Sequence, residues 1–493
     1  MARNPQGRRH SGILPPRGAG RTVLGSAEPL WEGGGMMPFT AALRAETEAG
    51  FDDAIADLRR LVAIPGSAWA ALDPAPLERS AQLVAELFEG TGFPEVRIVR
   101  EARPDGAPGA PSVLASRPAA PGRPTVLLYA HHDVQPAGDP RAWHTPPFEA
   151  TRRDGRLFGR GVADNKGGVV LHLAAYRAFA RAVGAANGLG VVVFIDGEEE
   201  IGSPSLPQLL SSRGDLLRAD VVVVADSGNW RVGVPALTTS LRGIATAVIE
   251  VRVLDHALHS GTFGGPVLDA LAVTSQLIAS LYGPDGSVAV AGLGGWDSSQ
   301  VDLSEDDYRA DAGVLPGVRL AGSGSIASRL WTKPALSVVG LDAPGVDVSS
   351  DAIVPAARAK ISLRLAPGDE PLRALEAVRA HLESHTPLGA HVSLVPGSAT
   401  KSFAGDGESP AARTMRRAME EAWGVAPVLM GVGGSIPAAA ELAAWFPHAQ
   451  VLINGAEDPD SRAHGADESI DLADYRRAIF AEALLLASLE QGA

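Results

Sequence analysis

The sequence predicts an α/β protein built on a mostly parallel sheet and interrupted by an inserted α+β domain. Three apolar runs carry the first part: TVLLYAHHDV (Thr125 to Val134), GVVVFIDGEEE (Gly190 to Glu200) and DVVVVADSG (Asp220 to Gly228). Continuous Val, Ile and Leu without alternation suits strands buried on both faces, as in parallel sheets covered by helices. The second part rests on a change of texture between Thr239 and about Ser398. There, alternation over Ala245 to Val253 and Ala359 to Leu365 flanks a helical pattern over Val267 to Leu281.

Taken in order, residues 1–36 are rich in Gly, Pro and Arg without periodicity and read as a disordered tail. Ile55, Leu58, Leu61 and Val62 form a helical stripe from Phe51, and a second stripe, Leu83 to Phe88, ends at Gly90. The first part of the main domain spans 37–238 and the insertion 239–398. The main domain resumes over 399–493, with a helix over Ala411 to Trp423, a glycine-rich turn at Gly431 to Ser435 and a strand near Gln450 to Ile453.

A chain of 493 residues with 45% hydrophobic content has enough apolar material for two cores. Its formal charge of -14, with no lasting basic patch, argues against a nucleic-acid partner. No stretch approaches the roughly 18 to 20 apolar residues of a membrane span, and the N-terminus lacks a signal-peptide core, so a cytoplasmic protein without a membrane partner is expected. With no cysteine, disulfides, thiolate nucleophiles and Cys-type zinc sites are excluded, leaving His, Asp and Glu as strong metal ligands.

Parallel sheets bind ligands beyond their strand C-termini. If the three runs lie side by side, His131, Asp133, Glu199, Glu200 and Asp226 converge there, a donor set suited to zinc or its neighbours. His131 and Asp133 are two apart on extended backbone, so they face one side and Asp133 can fix the His131 tautomer. The glycine-rich segment GRGVADNKGG (Gly159 to Gly168) opens a helical stretch and lets Asp164 approach an ion, although alone it reads equally as a turn and helix cap. Glu198, Glu199 and Glu200 close a strand, where one carboxylate can bind metal while a crowded neighbour shuttles protons. Asp226 alone is compatible with turn chemistry and His464 with an exposed loop. Jointly, these features at strand ends and glycine loops point to a metal site.

Six ordered segments then give the chain a resemblance to the M20 metallopeptidases, close to the dipeptidase and carnosinase branch, from roughly Phe51 to the C-terminus. They are HHDVQP (His131 to Pro136), WHTPPFE (Trp143 to Glu149), GRGVADNKGG, EEIGS (Glu199 to Ser203), HSGTFGG (His259 to Gly265) and GGSIP (Gly433 to Pro437). The resemblance implies a zinc-peptidase catalytic domain and an inserted lid and dimerisation domain. It implies two divalent metal ions, Zn2+ first and Mn2+ or Co2+ as substitutes. His131, Asp164 and Asp226 would hold one ion and Asp164, Glu200 and His464 the other. The family's Glu-Glu-x-Gly-Ser pattern must start at Glu199, making Glu199 the general base and Glu200 the ligand, with Asp133 orienting His131. His259 would reach a partner subunit's site to stabilise the oxyanion. Arg364, with Gly434 and Ser435, would receive a substrate carboxylate.

The expected activity is dinuclear, metal-dependent hydrolysis of dipeptides or short peptides with a free C-terminus, metal-bound water attacking with Glu199 as base, by a homodimer joined through the lid. The alternative is an N-acyl-amino-acid amidohydrolase or desuccinylase using the same site. A catalytically silent peptide-binding member is a third reading, disfavoured because every ligand and base position is filled.

Overall fold

The computed structural model describes residues 39–184, 187–297 and 301–491; the expected tail, 1–36, lies outside the described residues. The three apolar runs form the strands Thr125–His131, Gly190–Asp196 and Val221–Ala225, with every residue of the last two buried. Thr125–His131 sits between the other two and runs parallel to both. Gln450–Asn454 adds in parallel beside Val221–Ala225, so the centre of the nine-stranded sheet is parallel. The flanks are not: Ser112–Arg117 pairs antiparallel with Gly190–Asp196, and Glu95–Val99 antiparallel with Ser112–Arg117.

Strand alternation splits the buried side chains between two layers. Val126, Leu128 and Ala130 pack into a core with helices Thr40–Val62, Lys166–Val183, Pro410–Trp423 and Leu472–Gln491. Leu127 and Tyr129 face the opposite layer, with Leu206 and Leu210 from helix Leu206–Arg213 and Leu442 from helix Pro437–Trp445. The first helix begins eleven residues before Phe51, at Thr40; its early turns bury only Thr40, Leu43 and Thr47, too sparse an apolar stripe to register in the sequence.

A second sheet comprises Ala335–Asp342, Ala356–Leu365, Gly243–Arg252 and His391–Thr400 in that order, all antiparallel. Helices Ala270–Ser280 and Pro371–His385 pack on one face of it, around Ile249, Val251, Ile361 and Leu363. The first of these helices starts later than its apolar pattern because Asp269 caps it, accepting a hydrogen bond from Ala272 N at 2.8 Å. Helix Ile326–Trp331, within the same stretch of chain, packs instead on the larger sheet: Ile326, Ala327 and Trp331 share a cluster with Trp230, Val428 and Met430. Among the described residues, no helix is long and apolar enough to cross a membrane.

Candidate active site

The C-terminal ends of the parallel strands deliver the candidate residues to one edge. His131 is the last residue of its strand and Asp226 follows Val221–Ala225 directly. Asp164 lies just before helix Lys166–Val183, and the Asp164–Asn165 peptide that leads into it is cis. The triple glutamate does not close its strand as the sequence suggested. The strand stops at Asp196, whose carboxylate accepts from Gly197 N and Glu198 N and turns the chain, so Glu199 and Glu200 sit in a short 3-10 turn, Glu199–Ile201. His464 occupies a loop in the left-handed region, at φ 62°.

Two groups result: His131, Asp164 and Asp226, and Asp164, Glu200 and His464, each with ligand atoms within 4.8 Å of one another. Asp164 belongs to both. Its Oδ1 lies 3.1 Å from His131 Nε2 and its Oδ2 2.8 Å from His464 Nε2. Glu200 Oε2 is 3.2 Å from His464 Nε2, and Asp226 Oδ1 is 3.4 Å from His131 Nε2. Glu199 stands slightly back, with Oε2 3.9 Å from His131 Nε2.

The donor set suits divalent cations. His131 Nδ1 donates to the Asp133 carbonyl at 3.1 Å, and the Asp133 carboxylate is 3.3 Å away, leaving Nε2 as a lone-pair donor. That Nε2 is buried without a hydrogen-bond partner although it faces carboxylates. Burial opposes a proton on this imidazole, but Asp226, Asp133 and Asp164 together favour one; a divalent cation takes the place of that proton, and mixed imidazole and carboxylate donors fit zinc, manganese or cobalt.

Without such an ion the groups distort one another's titration. Burial pushes the Glu199 carboxyl well above its ordinary range, and Asp226, Glu200 and Asp164 push it further against the opposing pull of His131. Burial, then Asp164, raises Glu200 to about 7. His464 is lifted to about 11 by hydrogen bonds to Asp164 and Glu200. Asp164 moves the other way: burial would raise it, but the His131 and His464 imidazoles hold it well below the carboxylate range.

Several supporting residues escaped the sequence reading. Glu468 is fully buried; its Oε1 accepts from Gly161 N, Ala163 N and Asp164 N at 2.9 to 3.0 Å, and its Oε2 from Arg160 Nη1 at 2.6 Å. Arg160 also donates to Gly465 O at 3.1 Å, so one ion pair ties the Asp164 segment to the His464 loop. Gln135 donates from its backbone and side chain to Glu200, and Asn165 Nδ2 donates to Asp226 Oδ1. Asp133 accepts from the backbone N–H groups of Glu199 and Glu200, both at 3.2 Å. Glu198 is separate and structural, bonded by Arg103, Ala110 N and Ser205 N. His132 is likewise structural, between Ser80 Oγ and Pro111 O, with burial lowering it to about 4.

Arg364 and Ser435 meet across the two sheets, Nη1 donating to Oγ at 3.4 Å, with Gly434 preceding Ser435 in the turn. Ser435 Oγ in turn donates to Arg242 O at 2.6 Å, and Arg242 Nε donates to Gly433 O. Arg242, at the crossing between the sheets, was also missed; no carboxylate pairs with either guanidinium among the described residues. His259 is exposed, its Nδ1 accepting from Gly261 N at 3.1 Å, and no hydrogen bond or ion pair joins it to the two groups.

Residues 127–488 match the family model for peptidase family M20/M25/M40. The chain is 34% identical over 370 residues to the cysteinylglycine-S-conjugate dipeptidase of Corynebacterium striatum, covering 74% of this chain and 80% of that protein. It is 27% identical over 461 residues to the human Beta-Ala-His dipeptidase, covering 86% and 87%. The fold superposes on human carnosine dipeptidase 1 with a TM-score of 0.73 at 25% identity, over 92% of this chain and all of that one. Saccharomyces cerevisiae Dug1p shares the fold at a TM-score of 0.75 and 21% identity, over 92% and 99%.

Proposed function

The chain belongs to peptidase family M20/M25/M40, and from that premise we propose that it is a dinuclear metallo-dipeptidase acting on short peptides with a free C-terminus. The observation that carries the reading is the pair of donor groups sharing Asp164 beside a fully buried His131. Its relatives from Corynebacterium striatum and human are named as dipeptidases, which supports the substrate class.

In this reading His131, Asp164 and Asp226 hold one ion, most readily zinc, and Asp164, Glu200 and His464 the other. Bound there, two divalent cations polarise the scissile carbonyl and lower the pKa of water toward about 7. Glu199, set back from the two donor groups with Oε2 3.9 Å from His131 Nε2, accepts the water proton and passes it to the leaving amine. Asp133 holds the His131 ring and, through the Glu199 and Glu200 N–H groups, the turn carrying the base. Arg364, Gly434 and Ser435 take the terminal carboxylate, a task suited to a guanidinium without a carboxylate of its own. His259, exposed in one subunit, serves the oxyanion of a second across a lid-mediated homodimer, a donor worth about 2.7 to 4 kcal/mol. A cytoplasmic location is part of the proposal.

The test is hydrolysis of a dipeptide panel and of N-acetyl amino acids by metal-stripped protein, with zinc, manganese or cobalt restored. Metal-dependent cleavage of the dipeptides alone is expected. Cleavage of the acyl compounds alone moves the protein to the amidohydrolase reading, and silence on both supports a peptide-binding role.

A further inference from the structure

The strand Gln450–Asn454 leads into a segment whose first acidic residue, Glu457, has no part in the two metal groups. Beyond the strand, Glu457 bridges Gly228 in parallel, with Glu457 N donating to Ser227 O at 3.4 Å and Asn229 N donating to Glu457 O at 2.8 Å. These bonds fix its backbone beside Gly228, two residues past Asp226 in the segment that follows strand Val221–Ala225. Facing residues of a parallel pair project to the same side, and Glu457 is close enough to Asp164 and Asp226 to feel both charges. Gly228 has no side chain there: a Cβ on it would meet the Glu457 Cβ at 3.2 Å, so the glutamate occupies the space that a side chain at position 228 would need.

The Glu457 carboxylate has neither an ion-pair partner nor a hydrogen-bond donor among the described residues. Burial raises its pKa well above the ordinary value, followed by the proximity of Asp164, Asp226 and Glu468. It therefore shares the field of the metal groups while standing outside them. Asp133, Asp164, Glu199, Glu200, Asp226 and Glu457 gather with no lysine or arginine bonded to any of them among the described residues. Two divalent ions leave this set with an excess of negative charge, and a half-buried carboxylate without a counter-charge carries part of the cost of that excess.

We infer that Glu457 is the specificity residue that receives the protonated α-amino group of the substrate, so that the site selects peptides with a free N-terminus over N-acylated ones. The inference rests on the dipeptidase reading and adds its amino-terminal recognition. Chemistry places the ammonium correctly. In an α-dipeptide that nitrogen is two bonds from the scissile carbonyl carbon, about 2.5 Å away, so whatever binds it must sit beside the metal groups. A neutral acylated nitrogen gives Glu457 no charge to pair with.

The test compares alanylglycine with its deamino analogue, propionylglycine, for the metal-loaded wild-type enzyme and Glu457→Gln, which keeps the shape and removes the charge. The wild type should favour the free amine. The variant should lose about 10- to 100-fold in kcat/KM on alanylglycine, chiefly through KM, with little change on the analogue. Manganese titration of the variant should show unchanged stoichiometry, and Glu457→Asp, retaining the charge, should recover part of the preference. Equal losses on both substrates, no loss on either, or loss of a metal equivalent overturns the assignment. A wild type that turns over no dipeptide fails at the dipeptidase reading itself and takes the inference with it, whereas intact wild-type selectivity that persists in the variant sinks only the role of Glu457.

Discussion

Replacing Glu468 by glutamine removes one charge from the molecule and should be among its most damaging conservative changes. The carboxylate is fully buried and Arg160 is 1% exposed, so the pair has no access to bulk water. Glutamine keeps one acceptor oxygen for the Gly161, Ala163 and Asp164 N–H groups but turns an NH2 toward donors or toward Arg160. Breaking a buried ion pair by neutralising one partner costs about 3 to 5 kcal/mol, and the retained oxygen puts the expectation near about 3 kcal/mol. Urea unfolding of metal-free protein, followed by tryptophan fluorescence, measures this. A second effect follows from what the pair holds: Asp164 on one side and, through Gly465, the His464 loop on the other. Metal affinity should fall by about 10- to 100-fold even where the variant is folded. A destabilisation under about 1 kcal/mol with unaltered metal binding would refute the argument that this pair clamps the site.

Glu199→Gln should bind both metals normally and lose about 100- to 10,000-fold in kcat, as expected for a displaced general base; calorimetry and steady-state kinetics together decide it. Arg364→Ala should raise KM for dipeptides by about 10- to 100-fold while leaving kcat within a few-fold, whereas a matching fall in kcat would place the arginine elsewhere in the reaction. His464, raised to about 11 by its hydrogen bonds to Asp164 and Glu200, is protonated in metal-free protein at neutral pH. Ligation must expel that proton, so metal affinity should rise by up to about tenfold per pH unit below that value; calorimetry in buffers of different ionisation heat should register the released proton, and a pH-independent Kd would contradict it.

What the sequence reveals and conceals here follows from the range of the interactions. His131, Asp226 and the glutamates are announced by the buried strands that precede them, and Asp164 by glycines that let the chain turn beside an ion. The structure brings these residues and His464 together. Glu468 was passed over although it lies four residues beyond His464, because its function is set by partners 304 to 308 positions away that no local pattern advertises. Arg242 shares this invisibility, its contacts with Gly433 and Ser435 being formed only once the two sheets are joined. Strand ends were blurred where a polar residue caps the chain from within, as Asp196 does, since an unbroken run of acidic letters does not show where the backbone turns. His259 is legible only through resemblance, because its proposed work needs a second copy of the chain.

The position of strand Gln450–Asn454 bears on how the protein comes into being. It fills the slot between Val221–Ala225 and Ala236–Leu241, pairing Gln450 with Val221 across more than two hundred intervening residues. During synthesis, the edge of Val221–Ala225 must wait through the whole of the second sheet for its neighbour to emerge. An unpaired edge of valines is a template for unwanted association, and closing so long a loop is slow. The group of His131, Asp164 and Asp226 is complete in the nascent chain long before His464 is made, so the shared carboxylate of Asp164 meets its two imidazoles in a fixed temporal order. Removing the last segment of the chain would therefore abolish one half of the site and leave the sheet beside the other half open.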